Sequence, residues 1–294
     1  MPVAPSLIIL FYPGALQSAV LGLSDMLRFA GLDPVIVERE AELPPQVDVV
    51  ILPPGAQLPK PEDAPWILAV LQESAAEGAL ICSACLGLFW IAAAGVDAGR
   101  PVTTHWGIGA DIQATWPHLE VDTDRLLIEY SNLVTAGGLM AWVDLALIVI
   151  ERLVGHQAML TVARHFVVDP GRRDQRRFKR FQPNVAHGDK PILRGQQMIE
   201  SDIAGGHRFV DLAAQVGLSP RTFQRRFVKA TGMNVTEYLQ RVRIEQAKAL
   251  LADTQRAISD VAAEVGYSDL PAFYRVFQKV VGMTPAGFRS AVQS

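Results

Sequence analysis

Two stretches near the end of the chain repeat one another, and that duplication constrains the fold more than any other feature. Leu212-Ala213-Ala214-Gln215-Val216-Gly217-Leu218-Ser219 returns 49 positions later as Val261-Ala262-Ala263-Glu264-Val265-Gly266-Tyr267-Ser268. One inserted residue then moves the offset to 50, pairing Arg225 with Arg275, Phe227 with Phe277, Gly232 with Gly282 and Met233 with Met283. Repetition of this kind means that one supersecondary unit is built twice. Each copy reads as a short helix, a turn at the glycine, and a second helix opening at a serine or aspartate that can cap it. That is the helix-turn-helix layout.

Helical spacing divides the second helix of each copy into two faces. In the first, Phe223, Phe227 and Ala230 point to the core and Arg221, Gln224, Arg225 and Val228 point away. In the second, Phe273, Phe277 and Val280 point inward, while Pro271, Tyr274, Arg275 and Gln278 point out. Arg donates twice to guanine, and Gln both donates to and accepts from adenine, so the outward faces suit the base edges of double-stranded DNA. Between the copies lies a helical stretch, Thr236 to Asp253, with Tyr238, Leu239, Val242, Ala247, Leu250 and Leu251 as core candidates. At ~1.5 Å per residue it spans roughly 27 Å, enough to hold two reading helices near the ~34 Å that separates successive major-groove faces. A last helix is expected to begin at Thr284-Pro285, a cap followed by a residue suited to the first helical position.

Residues 191 to 291 resemble the AraC/XylS family of transcription regulators. The likeness rests on the pattern from Leu212 to Phe227, on Val265-Gly266-Tyr267-Ser268-Asp269, and on Gly282-Met283-Thr284-Pro285. It implies that Arg221, Gln224 and Arg225 read bases in one groove, with Leu270, Pro271, Tyr274 and Arg275 at the equivalent positions of the next. Leu270 and Pro271 offer no side-chain hydrogen bond, so the second helix is expected to meet thymine methyl groups or phosphates. Activation of transcription, with RNA polymerase as a partner, is what the resemblance implies.

Charge separates the chain into halves that its net of −3 conceals. Residues 1–163 carry −12 and residues 164–294 carry +9. A basic half attracts phosphate and an acidic half stays off it. No cationic leader precedes an apolar stretch, and the run Ala84 to Val96 is too short to span a bilayer. A cytoplasmic protein is expected. The two cysteines, Cys82 and Cys85, lack further ligands in spacing for a zinc site, and no cofactor or metal is expected.

The N-terminal half alternates apolar strands with helices. Strands are expected at Leu7 to Phe11, Val35 to Val37, Val47 to Leu52 and Ala79 to Cys82. Helices are expected after Pro13-Gly14 to about Ala30, from about Glu62 to Glu77, at Leu88 to Ala94 and at Ala141 to Ile150. Continuous apolar runs are the mark of a parallel sheet buried on both faces. The whole therefore reads as a doubly wound, mostly parallel, flavodoxin-like α/β domain joined to an all-α domain with two helix-turn-helix motifs. Cys85 falls on a strand-to-helix turn, where a helix N-terminus can lower a thiol pKa.

Ala84-Cys85-Leu86-Gly87, Ala92-Ala93-Ala94-Gly95, Thr103-Thr104-His105-Trp106 and Thr135-Ala136-Gly137-Gly138 with Asp144 resemble the PfpI-like, class I glutamine amidotransferase-like domain found fused to AraC-type readers. A working thiol needs a base and an acid to orient it. His105 could approach Cys85, but nothing from Gly14 to Ser24 ionises, and Ala19 stands where related regulators often carry aspartate. No catalytic residue is therefore assigned, with Cys85 and His105 as the residual pair. An effector pocket is expected instead around Tyr12, Gly14, Cys85, Leu86, His105, Trp106 and Gly137, because ligands bind beyond the carboxyl ends of parallel strands. The rival readings are a thiol hydrolase or amidase joined to a DNA-binding module, and a redox sensor using Cys82 and Cys85. Asp144, within an apolar helix, reads as a loop cap or an amine contact.

Three segments follow: 1–168 as a sensing and dimerisation domain, 169–188 as a basic linker, and 189–294 as the DNA-binding domain. Dimerisation is an implication of the resemblance, since no heptad zipper occurs. Six of the nine residues from Arg172 to Arg180 are basic, which reads as a solvated tether or a phosphate-touching arm. Asp189-Lys190-Pro191 is expected to start the first helix of the DNA module. A nitrogen-containing metabolite is the family-level expectation for the effector.

Overall fold

The computed structural model describes residues 5–171, 174–206 and 208–293. Arg172 and Arg173 of the basic stretch lie outside the described residues. The chain divides into two compact units, Met1–Gln175 and Arg176–Ser294.

In the first unit the chain order is β1 (Leu7–Leu10), α1 (Gln17–Phe29), β2 (Val35–Val37), β3 (Val49–Leu52), α2 (Pro65–Ala76), β4 (Leu80–Ala84), α3 (Leu88–Ala94), α4 (Gly109–Thr115), β5 (Leu127–Glu129), β6 (Leu133–Ala136), α5 (Trp142–Leu153) and α6 (His156–Phe166). The sheet order is β2-β1-β3-β4-β6-β5. Five strands run parallel, and β5 closes one edge antiparallel to β6. Alternate residues of each strand serve opposite cores, as the two-residue pleat requires. Ile8, Leu10, Val50, Leu52 and Ile81 pack with α2 and α3. Leu7, Ile9, Val49, Ile51, Cys82 and Ala84 pack with α1, α5 and α6. Both faces are covered, which explains why the strands are apolar throughout.

Several boundaries differ from the sequence-based expectation, each for a local reason. The second helix begins at Pro65 rather than Glu62 because Pro61–Asp63 form a 3-10 turn and a proline suits only the first helical position. The third strand begins at Val49 because the Asp48 carboxylate turns back to accept from Ser6 N at 2.7 Å. The fourth continues to Ala84 because it is hydrogen-bonded on both sides, to β3 and β6.

The second unit is helical: α7 (Lys190–Ser201), α8 (Phe209–Gln215), α9 (Pro220–Thr231), α10 (Val235–Asp253), α11 (Ile258–Glu264), α12 (Leu270–Val281) and α13 (Pro285–Gln293). It has two cores strung on one helix. Val235 and Tyr238 of α10 join Ile192, Leu212, Phe223 and Phe227. Further along α10, Ile244, Ala247 and Leu251 join Val261, Phe273, Phe277 and Phe288. The basic stretch is not a free tether from Lys179 onward. The Lys179 carbonyl accepts from the buried Lys248 ammonium at 2.5 Å, Phe181 N donates to Glu245, and the Phe181 ring lies edge-on to Tyr238. Polar backbone near a surface is held there because its groups find partners.

Candidate functional site

The two reading helices are built alike, down to their caps. Ser219 and Asp269 are the N-caps of α9 and α12, accepting from Thr222 N at 3.4 Å and Ala272 N at 3.1 Å. The inserted residue falls in the second turn, so the cap passes from serine to the aspartate one position later. Gly217 and Gly266 hold the turns at φ +72° and +88°, a region that costs glycine nothing. Past each helix end, Gly232 and Gly282 take the same left-handed role.

Phe223 and Phe227 are fully buried, and Phe273 and Phe277 match them. Arg221, Gln224 and Arg225 are exposed, and among the described residues none of their side chains has a hydrogen-bond or ion-pair partner. On α12, Leu270, Pro271, Arg275 and Gln278 are exposed. Arg275 lies 3.8 Å from the Asp269 cap. Tyr274 departs from the expectation: it is half-buried, and its ring meets Phe273 edge-on at 6.2 Å. Val280 is also only half-buried, and Val281 fills the core in its place. Arg226, between the outward and inward faces, is spent on Asp189 at 2.7 Å.

In the α/β unit the expected pocket residues gather at the carboxyl edge in two groups. Tyr12 is buried, and its hydroxyl donates to Pro53 O at 2.6 Å. That bond ties the ends of β1 and β3, where the strand order reverses and an open crevice would otherwise lie. Gly14 O accepts from Ala56 N beside it. Burial, with Cys85 nearby, pushes the Tyr12 phenol well above its ordinary value. Tyr12 is therefore a structural tie and not a hydroxyl offered to a ligand.

Cys85 sits in the 3-10 turn Cys85–Gly87 with φ +53°, a left-handed position rare for a side-chain-bearing residue. Leu86 beside it is buried. The expected lowering of the thiol pKa is reversed: burial pushes Cys85 up to about 11, and the Leu86 backbone hydrogen bond offsets only part of that. Cys82 is raised to about 12 by burial, and both thiols are free. His105 does not engage the thiol. Its Nδ1 accepts from Gly107 N at 3.0 Å, its ring stacks on Trp106, and burial lowers its pKa.

The second group converges on a residue the sequence did not single out. Gln175 is 2% exposed. Its Nε2 donates to Thr104 O at 2.8 Å, Arg125 O at 2.9 Å and Thr103 Oγ1 at 3.3 Å, and its Oε1 accepts from Trp106 N at 3.1 Å. Gly137 leaves room for it, since a Cβ there would lie 1.9 Å from Nε2. Thr104 Oγ1 donates to Cys85 O at 2.7 Å, joining the two groups. No short-range pattern marks Gln175, which stands 69 residues from Trp106. A separate cavity of about 680 Å³ lies at β5, α5 and α6, with Arg125, Leu127, Asp144, Leu147, His156 and Met159 among its walls. Asp144 is buried there, in the first turn of α5. Among the described residues, no helix is long and apolar enough to cross a membrane, and no cluster of metal-ligating side chains occurs.

Two capped helix-turn-helix motifs sharing one helix define a DNA-reading module, here following an amidotransferase-like α/β domain. The helix-turn-helix domain family matches residues 212–291, and the DJ-1/PfpI family matches residues 22–152. The HTH-type transcriptional regulator GbdR of Pseudomonas aeruginosa is 24% identical over 242 residues, covering 82% of this chain and 65% of that protein. The HTH-type transcriptional regulator ArgR of the same species is 25% identical over 223 residues, covering 76% of this chain and 68% of that protein. The bifunctional transcriptional activator/DNA repair enzyme AdaA of Bacillus subtilis is 44% identical over 71 residues, 24% of this chain and 34% of that protein. Residues 212–291 thus match an AraC-type helix-turn-helix domain and residues 22–152 a DJ-1/PfpI domain, and the chain is similar over most of its length to transcriptional regulators.

Proposed function

We propose that the protein is a one-component transcription regulator. Its helical unit binds double-stranded DNA through α9 and α12, and its α/β unit binds a small-molecule effector without turning it over. One observation carries the DNA reading: two N-capped helices, fifty residues apart, present arginine and glutamine to solvent while their phenylalanines fill the core. Arg221, Gln224 and Arg225 read base edges in one groove, and Leu270, Pro271, Arg275 and Gln278 face the next. Tyr274, half-buried, supports that second face from beneath.

The absence of turnover is supported by the chemistry at Cys85. At about 11 its pKa leaves roughly one thiolate in ten thousand at neutral pH. His105 gives its Nδ1 to a backbone N–H, and α1 opens without an ionisable side chain. The protein works as a cytoplasmic homodimer that presents paired reading units to an operator and assists RNA polymerase. The effector, a nitrogen-containing metabolite, acts by binding two arrangements of the regulator unequally.

Selection from a random DNA pool with the purified full chain tests this reading, followed by titration of the selected site at several salt concentrations. Enrichment of paired sites one helical turn apart, with affinity falling steeply as salt rises, is the expected result. A pool that stays unenriched removes the regulator reading.

A further inference from the structure

The carboxyl edge of the sheet, where an effector is expected, already holds a ligand-like group: the chain's own Gln175 carboxamide. Its socket presents three oxygen acceptors, from Thr103, Thr104 and Arg125, and one N–H donor, from Trp106. Such a set recognises a head group with several N–H donors and repels a carboxylate. Gly137 and Trp106, two of the residues expected to line an effector pocket, both serve this socket. Thr104 links it to the Cys85 turn.

Gln175 is also the last residue of the α/β unit. Next along the chain come the Arg176 guanidinium, which donates to Lys279 O at 3.4 Å, and the Lys179 carbonyl, held by Lys248, both within the helical unit. A side chain buried in one unit is therefore followed at once in sequence by residues held in the other.

We infer that this socket is the effector's recognition site for a primary amide or similarly N–H-rich head group, and that Gln175 is its built-in competitor. Effector entry and release of the segment leading to the reading unit are then one event. The inference rests on the regulator reading above. It identifies Gln175 as a positioning residue that couples occupancy of the socket to the connection between units.

The test compares the full-length parent with Gln175→Ala, using propionamide as the probe and propionate as its control. Gln175→Ala is expected to bind propionamide about tenfold or more tightly than the parent, because the internal competitor is gone, and not to bind propionate. Tryptic cleavage at Arg176, Arg177 and Lys179 is expected to accelerate about tenfold in the variant, following the population of the released segment. Propionamide does not restore protection, since it fills the socket without tethering the chain. Equal affinity for propionamide and propionate, or cleavage at the parent's rate, overturns the inference.

Gln175→Glu, which turns a carboxylate oxygen toward the three acceptors, is expected to release the segment in the same way. Should neither variant fold by circular dichroism, cleavage of the parent titrated with propionamide decides: acceleration supports the socket, and an unchanged rate overturns it. Operator binding by the parent is measured in parallel. Its absence removes the regulator reading and leaves the socket result standing.

Discussion

Arg226 grips Asp189 with two hydrogen bonds, Nε to Oδ2 at 2.8 Å and Nη2 to Oδ1 at 2.7 Å, while the same carboxylate caps α7 through Ile192 N at 3.3 Å. One side chain thus fixes the start of the first helix and its angle to the first reading helix. Asp189→Ala removes the cap and the ion pair together, and the cap alone is worth about 1 kcal/mol. The Arg226 hydrogen bonds, followed by that of Ile192 N, hold the Asp189 carboxyl below its ordinary value. A depressed folded pKa means that the contribution is present above the unfolded value near 3.8 and is lost as the pH falls through the folded value. Urea unfolding of the parent and Asp189→Asn from pH 7 down to pH 3 should show a gap that is full at neutral pH and narrows once the pH falls below about 3.8. A gap of constant size would mean that the ion pair does not titrate with folding.

Arg225 and Arg226 are neighbours with different duties. Arg226 is consumed by Asp189, whereas Arg225 is exposed and has no side-chain partner among the described residues. Arg225→Ala is expected to weaken binding to the selected operator by about 1–3 kcal/mol and to leave random-sequence DNA almost unaffected. The fold should be little affected, since the side chain is exposed and holds no hydrogen bond or ion pair among the described residues. Fluorescence anisotropy on both DNAs reads the difference. Equal losses on the two would make Arg225 a phosphate contact, with a reduced salt slope as its signature.

The reading unit was legible in the sequence because its signals are local. The cap, the turn glycine and the paired phenylalanines lie within sixteen residues of one another in each copy, and their repetition fixed the register. Parallel strands were legible too, as apolar runs ending at Pro13, Pro53 and the Cys85 turn. What escaped was tertiary. The thiol pKa depends on what covers Cys85, and burial there outweighs any lowering by the helix that follows. Tyr12 looked like a pocket residue until its hydroxyl was found on Pro53. Gln175 reaches Trp106 and Thr104 across about seventy residues, a distance no periodicity spans.

The duplicated phenylalanines allow a matched pair of core tests. Phe227 and Phe277 are both fully buried, and each touches the phenylalanine four residues before it at a centroid distance of 5.5 Å. Truncation of either to alanine is expected to cost about 3–5 kcal/mol through lost burial and the cavity left behind. Because α10 runs through both cores, the second unit should still melt in one transition in each variant. Two separated transitions in urea would show that the repeats fold independently and that α10 does not couple them.

Cys85 offers the sharpest check on the α/β unit. Its pKa stands near 11, against 9.0 for an unperturbed thiol, so at pH 8 the native thiolate is about a hundredfold scarcer than in the unfolded chain. Alkylation of native Cys85 by iodoacetamide, followed by peptide mass spectrometry, should be slower by at least that factor and should rise with pH until about 11. Linkage runs the same way. A thiol that holds its proton more strongly when folded contributes stability below its unfolded pKa of about 9, and that contribution is lost as the pH rises through about 11. Cys85→Ala should therefore flatten the alkaline arm of the stability profile. Rapid alkylation of Cys85 at neutral pH would reveal an activated thiol and reopen the hydrolase reading.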